Sequence, residues 1–324
     1  MRLYIRRSAA VAVFALLLPA AGQTPAPAPD DVPVFRSDTR LVVLHATVVD
    51  KNGRLVTTLP REAFKVYENG TQQTLRLFRR EDIPVSMGII VDNSGSMRQK
   101  RQKVESASLG LVKASNPQDE VFIVNFNDDA YLDVPFTNDV KKMEEGLTRI
   151  DSRGGTAMRD AISMSIDEMK AKAKKDKKII FLVTDGNDNT SAITIERLIE
   201  KVRESEILIY ALALLNEEDR GEAKKAKRAL EALATASGGT VYYPKDLVDV
   251  EKLALDVAHE IRNQYVLAYS PVNAVLDGSF RQLRVTVDGP GRPVARTRNG
   301  YYASPEARPS PARRTPAPVV KGSN

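Results

Sequence analysis

The stretch Val85–Met97 reads VSMGIIVDNSGSM, and its two halves obey different rules. From Val85 to Val91 there is no charged residue, the composition of a strand buried on both faces. The strand then stops on a carboxylate, Asp92, followed by hydroxyls at alternate positions, Ser94 and Ser96. All three are short, oxygen-bearing side chains. On these residues alone two readings stay open. One is a small, hard cation held by oxygens. The other is a tight turn whose side chains are its own hydrogen-bond partners.

Outward from this stretch, apolar runs alternate with helical periods. Val121–Phe126, Ile179–Thr184 and Ile207–Leu212 read as further strands, and Asp129–Phe136 as an added edge strand. Ile162, Ile166 and Met169 share one face of a helix between them. A later helix over Asp246–Arg262 sets Leu247, Val250, Ala254, Val257 and Ile261 on one side. Continuous apolar strands separated by helices predict a mainly parallel sheet covered on both faces. In such sheets ligands gather at the carboxyl ends of the strands. There Asp185 follows Ile179–Thr184 in a Thr-Asp-Gly run, and Gly154-Gly155-Thr156 forms a turn entering the helix of Ile162. Three loops thus supply the carboxylates Asp92 and Asp185 and the hydroxyls Ser94, Ser96 and Thr156, with no histidine or cysteine in them. An all-oxygen set suits Mg²⁺, Mn²⁺ or Ca²⁺ and disfavours Zn²⁺.

Asp-x-Ser-x-Ser at Asp92, Ser94 and Ser96, then Thr156 after Gly-Gly, then Asp185 in Thr-Asp-Gly, resembles the metal-ion-dependent adhesion site of von Willebrand factor type A domains. The resemblance covers roughly Ile83 to Arg262, and all five positions match. It implies a Rossmann-like, doubly wound α/β fold. It also implies that Ser94 and Ser96 bind a divalent cation directly, Thr156 directly or through water, and Asp92 and Asp185 mostly through water. The vacant coordination position is then taken by an Asp or Glu carboxylate of a partner protein. Direct hydroxyl ligands add no negative charge, so an incoming acid completes both charge and coordination. The layout as a whole bears a looser resemblance to a secreted, von Willebrand factor A-related family described from acidobacteria, which brings no partner with it.

The flanks follow a different period. Leu41–Val49, Phe64 with Val66, and Leu75 with Leu77 alternate with polar residues, and two Asn-Gly turns, at Lys51–Arg54 and Glu68–Thr71, punctuate them. Asn-Gly tolerates positive φ at both central turn positions. After the last helix, Tyr265, Leu267 and Tyr269 alternate, as do Leu283, Val285 and Val287. Residues 34–80 and 264–303 are therefore expected to build one small β-sandwich-like domain, with the α/β domain of residues 83–262 inserted between them.

The 324 residues are 42% hydrophobic and 28% charged, ordinary globular material with a net charge of +6. The lysine-rich run Lys170–Lys178 has no interleaved aromatic residue, so it reads as a solvated helix end rather than a nucleic-acid patch. Arg2, Arg6 and Arg7, then the apolar run Ala9–Leu18, then Ala20-Ala21-Gly22 have the order of a secretory signal peptide over residues 1–22. A proline-rich linker over residues 23–33 and a disordered, proline-rich tail over residues 304–324 are expected around the folded part. There is no cysteine, so neither disulfides nor a lipid-anchoring cysteine occur, and an exported chain of this kind is held by its core.

Rival chemistries fit less well. Asp185–Thr190 mimics the start of a calcium-binding helix–loop–helix segment, but Thr190 stands where glycine is required and a strand precedes it. Ser94-Gly95-Ser96 is not a nucleophile elbow, and His45 and His259 lie outside the metal loops. The expectation is an exported, non-enzymatic, metal-dependent protein-binding or adhesion module. An accessory subunit of a surface or periplasmic enzyme or assembly, or a structural domain whose metal site stays empty, is the alternative.

Overall fold

Alternation governs the first part of the chain. The computed structural model describes residues 41–80, 82–148, 152–186, 188–215 and 220–304. The expected leader, the linker and the tail beyond Ser304 lie outside these residues. Strands β1 (Val42–Val49), β2 (Phe64–Glu68), β3 (Thr71–Gln73) and β4 (Leu75–Arg80) come first. The two Asn-Gly turns among them differ. Between β2 and β3, Asn69 and Gly70 both have positive φ, 46° and 82°, as a two-residue hairpin requires. In Lys51–Arg54 only Gly53 does, at 78°, so the expectation of two positive positions is corrected. There the Asp50 carboxylate sets the turn instead, accepting hydrogen bonds from the amides of Asn52 (2.8 Å) and Arg54 (2.9 Å).

Next come β5 (Val85–Asp92), α1 (Arg101–Lys113), β6 (Glu120–Phe126), β7 (Ala130–Thr137), α2 (Val140–Thr148) and α3 (Met158–Lys172). They are followed by β8 (Lys177–Thr184), α4 (Ile195–Arg203), β9 (Leu208–Ala213), α5 (Arg220–Ser237), β10 (Val241–Tyr242) and α6 (Asp249–Arg262). The sheet order is β10-β9-β8-β5-β6-β7. Every neighbouring pair is parallel except β6 with β7. All eight residues of β5 are buried, as the uncharged run Val85–Val91 requires, and the burial extends to the carboxylate Asp92. Met87, Ile89 and Val91 face one layer with Val104, Leu111, Met143 and Val257, from α1, α2 and α6. Ile90 faces the other with Ile162, Leu198 and Leu233, from α3, α4 and α5. Gly88 leaves room for an aromatic ring: a Cβ there would lie 2.4 Å from Phe122 Cζ. Leu247 is a correction at the edge of α6, since it precedes the helix and is exposed, whereas Val250, Ala254, Val257 and Ile261 are buried.

The chain leaves β5 towards β6 on one side and leaves β8 towards β9 on the other. The strand order therefore reverses between β5 and β8, and the carboxyl ends of those two strands flank the crevice where such sheets bind ligands.

Four more strands follow among the described residues: β11 (Tyr265–Tyr269), β12 (Phe280–Val287), β13 (Val294–Arg296) and β14 (Gly300–Tyr302). They join the first four in two sheets, β13-β1-β11-β4 and β14-β12-β2-β3. Each sheet thus mixes strands from before and after the α/β segment. β1 and β11 are antiparallel with Leu44 opposite Leu267, and β2 and β12 with Val66 opposite Val285. Leu44, Val66, Tyr265, Leu267, Tyr269 and Leu283 share one buried cluster between them. Its polar centre is Glu68, which accepts hydrogen bonds from the hydroxyls of Tyr269 (2.6 Å) and Tyr301 (2.9 Å).

Candidate functional site

Asp92 is the last residue of β5 and is buried. Its Oδ1 accepts the Ser94 amide at 2.9 Å, which turns the chain away from the strand. Its Oδ2 accepts the Thr184 hydroxyl at 2.6 Å, tying the ends of β5 and β8 together. Burial pushes the Asp92 carboxyl up to about 6; the nearby charge of Asp185 adds to the rise, and the bonds from Ser94 and Thr184 oppose it. Ser94 opens a single turn of 3₁₀ helix, Gly95–Met97, but its side chain makes no capping bond. Instead the Ser94 and Ser96 hydroxyl oxygens lie 3.0 Å apart.

Asp185 follows β8 directly and is also buried. Its Oδ2 is 3.4 Å from the Lys100 ammonium, which also donates to the carbonyl of Leu214 at 3.0 Å. Asp185 Oδ1 is buried and has no hydrogen-bond partner.

The third loop is locked to the other two. The Gly95 amide donates to the Gly154 carbonyl (3.2 Å), and the Arg153 amide to the Asn93 carbonyl (2.9 Å). Thr156 donates its amide to Asn189 Oδ1 at 2.9 Å, while its carbonyl accepts the amides of Asn189 and Thr190. Asp128, after β6, accepts the Gly155 amide at 2.7 Å. Gly154 has φ +75°, which demands glycine, and a Cβ there would lie 2.1 Å from Asp128 Oδ2 and push that exposed carboxylate off the loop. Asp188 then holds the start of α3, accepting the Arg159 amide (2.7 Å) and pairing with its guanidinium (3.0 Å).

The structure thus brings Asp92, Ser94, Ser96, Thr156 and Asp185 to loops that interlock at one end of the sheet. It adds Lys100 and Asp128, which motif reading passed over, and Asp188 and Asn189, which the sequence offered only within the rejected calcium-loop run. The run Asn127-Asp128-Asp129 at another strand end was the available signal for Asp128; Lys100, one residue before α1, left none. Among the described residues no group of three or more His, Cys, Asp or Glu could hold a metal ion. A cation here would have to rely on hydroxyls. The donor set fits that requirement: an adjacent pair of serine oxygens, two buried carboxylates, and one carboxylate oxygen without a partner.

The fold is a doubly wound α/β domain of the open-sheet class, with oxygen side chains gathered from three loops at its switch point. Residues 87–187 match the family model of the von Willebrand factor type A domain, and this part of the chain is such a domain. Domains of this family generally serve adhesion and protein interaction. Among curated proteins, an uncharacterised protein of Synechocystis is 31% identical over 111 residues, 33% of this chain and 26% of that protein. Calcium-activated chloride channel regulator 1 of the mouse is 29% identical over 171 residues, 49% of this chain and 17% of that protein. The chain therefore spans about a quarter and about a sixth of these relatives. Among solved structures, a von Willebrand factor type A protein from Catenulispora acidiphila aligns with a TM-score of 0.49 at 13% identity, over 83% of this chain and 74% of that one. No helix among the described residues is long and apolar enough to cross a membrane.

Proposed function

We propose that the chain is a non-enzymatic protein-binding module that captures an Asp or Glu carboxylate of a partner through a divalent cation held at this site. Ser94 and Ser96 would hold the cation directly, Thr156 directly or through water, and Asp92 and Asp185 chiefly through water. An all-oxygen set of this kind would suit Mg²⁺, Mn²⁺ or Ca²⁺. When bound, the cation would supply the positive centre that attracts the partner's carboxylate. The observation that carries this reading is the buried, unpartnered Asp185 Oδ1 at the strand-end crevice that also holds the paired hydroxyls of Ser94 and Ser96, because buried polar oxygens are otherwise satisfied.

The chain's own residues support an acidic partner. Arg98, Lys100, Arg101 and Lys103 cluster where α1 begins; Lys100, Arg101 and Lys103 pair with Asp185 (3.4 Å), Glu105 (2.6 Å) and Glu251 (3.9 Å), and Arg98 has no ion pair among the described residues. Positive charge beside the site would steer an acidic surface towards it. The Thr184 bond fixes Asp92, and Lys100 fixes one oxygen of Asp185, so neither carboxylate must reorganise when the site is filled. Export, on the strength of the arginine-rich and then apolar opening of the chain, would place the module among extracellular or periplasmic partners.

Calorimetric titration of the full chain with Mg²⁺ and with Mn²⁺ tests the reading, alongside Ser94→Ala and Asp185→Ala. Saturable binding by the wild type and at least about tenfold weaker binding by both variants, at unchanged melting temperature, is the expected result. An Asp-containing peptide should then bind only with metal present, and its Asn counterpart should not. Equal metal titrations in wild type and variants would overturn the proposal.

A further inference from the structure

At the opposite end of the parallel sheet from Asp92 lies a cavity of about 630 Å³, within the size range of small-molecule sites. Its roof comes from the amino ends of β5, β8 and β9, through Ile83, Lys175, Lys178 and Leu208. Its floor is a face of the sheet β13-β1-β11-β4, through Val43, His45, Leu77 and Val266. On those strands Leu44, Phe78 and Leu267 take the alternate positions and pack into the sandwich core. The sheet is thus apolar on both sides, and only one side is covered by its partner sheet.

The charge lining the cavity is lopsided. Arg79, Lys174, Lys175, Lys178 and Arg298 face it, against Asp176 and Glu206 alone. Arg298 already engages Glu206 at 2.8 Å. Lys175 and Lys178 are half-buried, and neither side chain forms an ion pair among the described residues. Carried on partly buried stems, these ammonium groups have no counter-charge among the described residues and are free to meet an anion. His45 adds a second sign: its Nδ1 is buried and has no hydrogen-bond partner. Burial, with Lys177 and Arg298 nearby, holds that imidazole down to about 3, so it stays neutral and available as a hydrogen-bonding group.

We propose that this cavity binds a small organic anion with an apolar body, its head group met by Lys175 and Lys178 and its body lying on Val43, Leu77 and Val266. Such a ligand would fill the space between this sheet face and the α/β segment and supply the missing counter-charge together. It would also contact the α/β segment and the β sheets at once, so binding should stabilise the whole described chain.

The probe is 8-anilinonaphthalene-1-sulfonate, an amphipathic anion, titrated into the full chain by fluorescence in excess EDTA so that the strand-end site is silent. N-phenyl-1-naphthylamine, the same body without the charge, is the companion probe. Saturable one-to-one binding of the sulfonate is expected, with the neutral probe at least about tenfold weaker. Lys175→Glu with Lys178→Glu should weaken the sulfonate by a similar factor, and the milder Lys178→Gln by less. Asp185→Ala should leave it unchanged. Equal affinity for the two probes, an unaltered affinity in the lysine variants at native melting temperature, or no saturable binding would each overturn the proposal.

Discussion

Lys100 and Asp185 form the pair on which the behaviour of the strand-end site turns. The ammonium lies 3.4 Å from one Asp185 oxygen, and both side chains are largely shielded from water. It offsets one of the two carboxylate charges, and it would repel a divalent cation taken up as proposed. Replacing Lys100 by methionine keeps the stem and removes the charge. Mg²⁺ should then bind more tightly, by roughly three- to tenfold, which is on the order of 1 kcal/mol, while an acidic peptide should bind the loaded site more weakly. Titration calorimetry reads both; weaker or unaltered Mg²⁺ binding would show that Lys100 does not oppose the cation. The residues of the motif could be read from sequence because their types and order are distinctive. Lys100 could not, since its role depends on α1 beginning beside β8's carboxyl end, a tertiary fact with no local spacing.

Among the elements, the parallel strands were the most legible. β5, β6, β8 and β9 each contain a buried apolar run, β5 being the clearest case, whereas β10, two half-buried residues, offered no such run and was not anticipated. Turn geometry was less legible, because identical Asn-Gly pairs took different conformations according to whether a neighbouring carboxylate, Asp50, could bond the turn amides. The loops of the site are held by exchanges between elements, with Asp128, Asp188 and Asn189 acting as clamps on the loop before α3. Gly154 is the point where that clamp is least forgiving. Alanine there meets both a positive φ and the Asp128 carboxylate. Gly154→Ala should cost about 1–3 kcal/mol and lower the melting temperature by several degrees. It should also weaken cation binding, since Gly154's carbonyl positions Gly95 between Ser94 and Ser96. A variant with wild-type melting temperature and wild-type titration would mean that the loop relaxes without loss.

At the scale of the whole molecule, α6 carries the joint between the α/β segment and the β sheets. Glu260 accepts the hydroxyls of Thr47 in β1 (2.9 Å) and Tyr242 (2.6 Å) and the guanidinium of Arg296 in β13 (2.8 Å). Lys177, at the start of β8, donates to the carbonyl of Ile261 in the last turn of α6. Burial draws the Lys177 ammonium down to about 7, against the pull of Asp82, Asp119 and Glu260, which raise it. The ordinary value, which the unfolded chain keeps, is 10.5. Between about 7 and 10.5 the unfolded state therefore binds more protons than the folded one, and the stability of the fold rises with pH through that window. Below it both states carry the charge, and the cost of burying an ammonium is fully present. The slope from this one group is at most about 1.4 kcal/mol per pH unit. Other lysines and tyrosines titrate in the same range, so the wild type is compared with Lys177→Met, which keeps the length of the side chain and cannot charge. Urea unfolding at a series of pH values from neutral to mildly alkaline should show the variant's stability, relative to the wild type, falling steadily as pH rises. Two parallel stability curves would mean that Lys177 keeps its proton throughout. The carbonyl at the end of α6, already favourable to a cation, would then have outweighed burial.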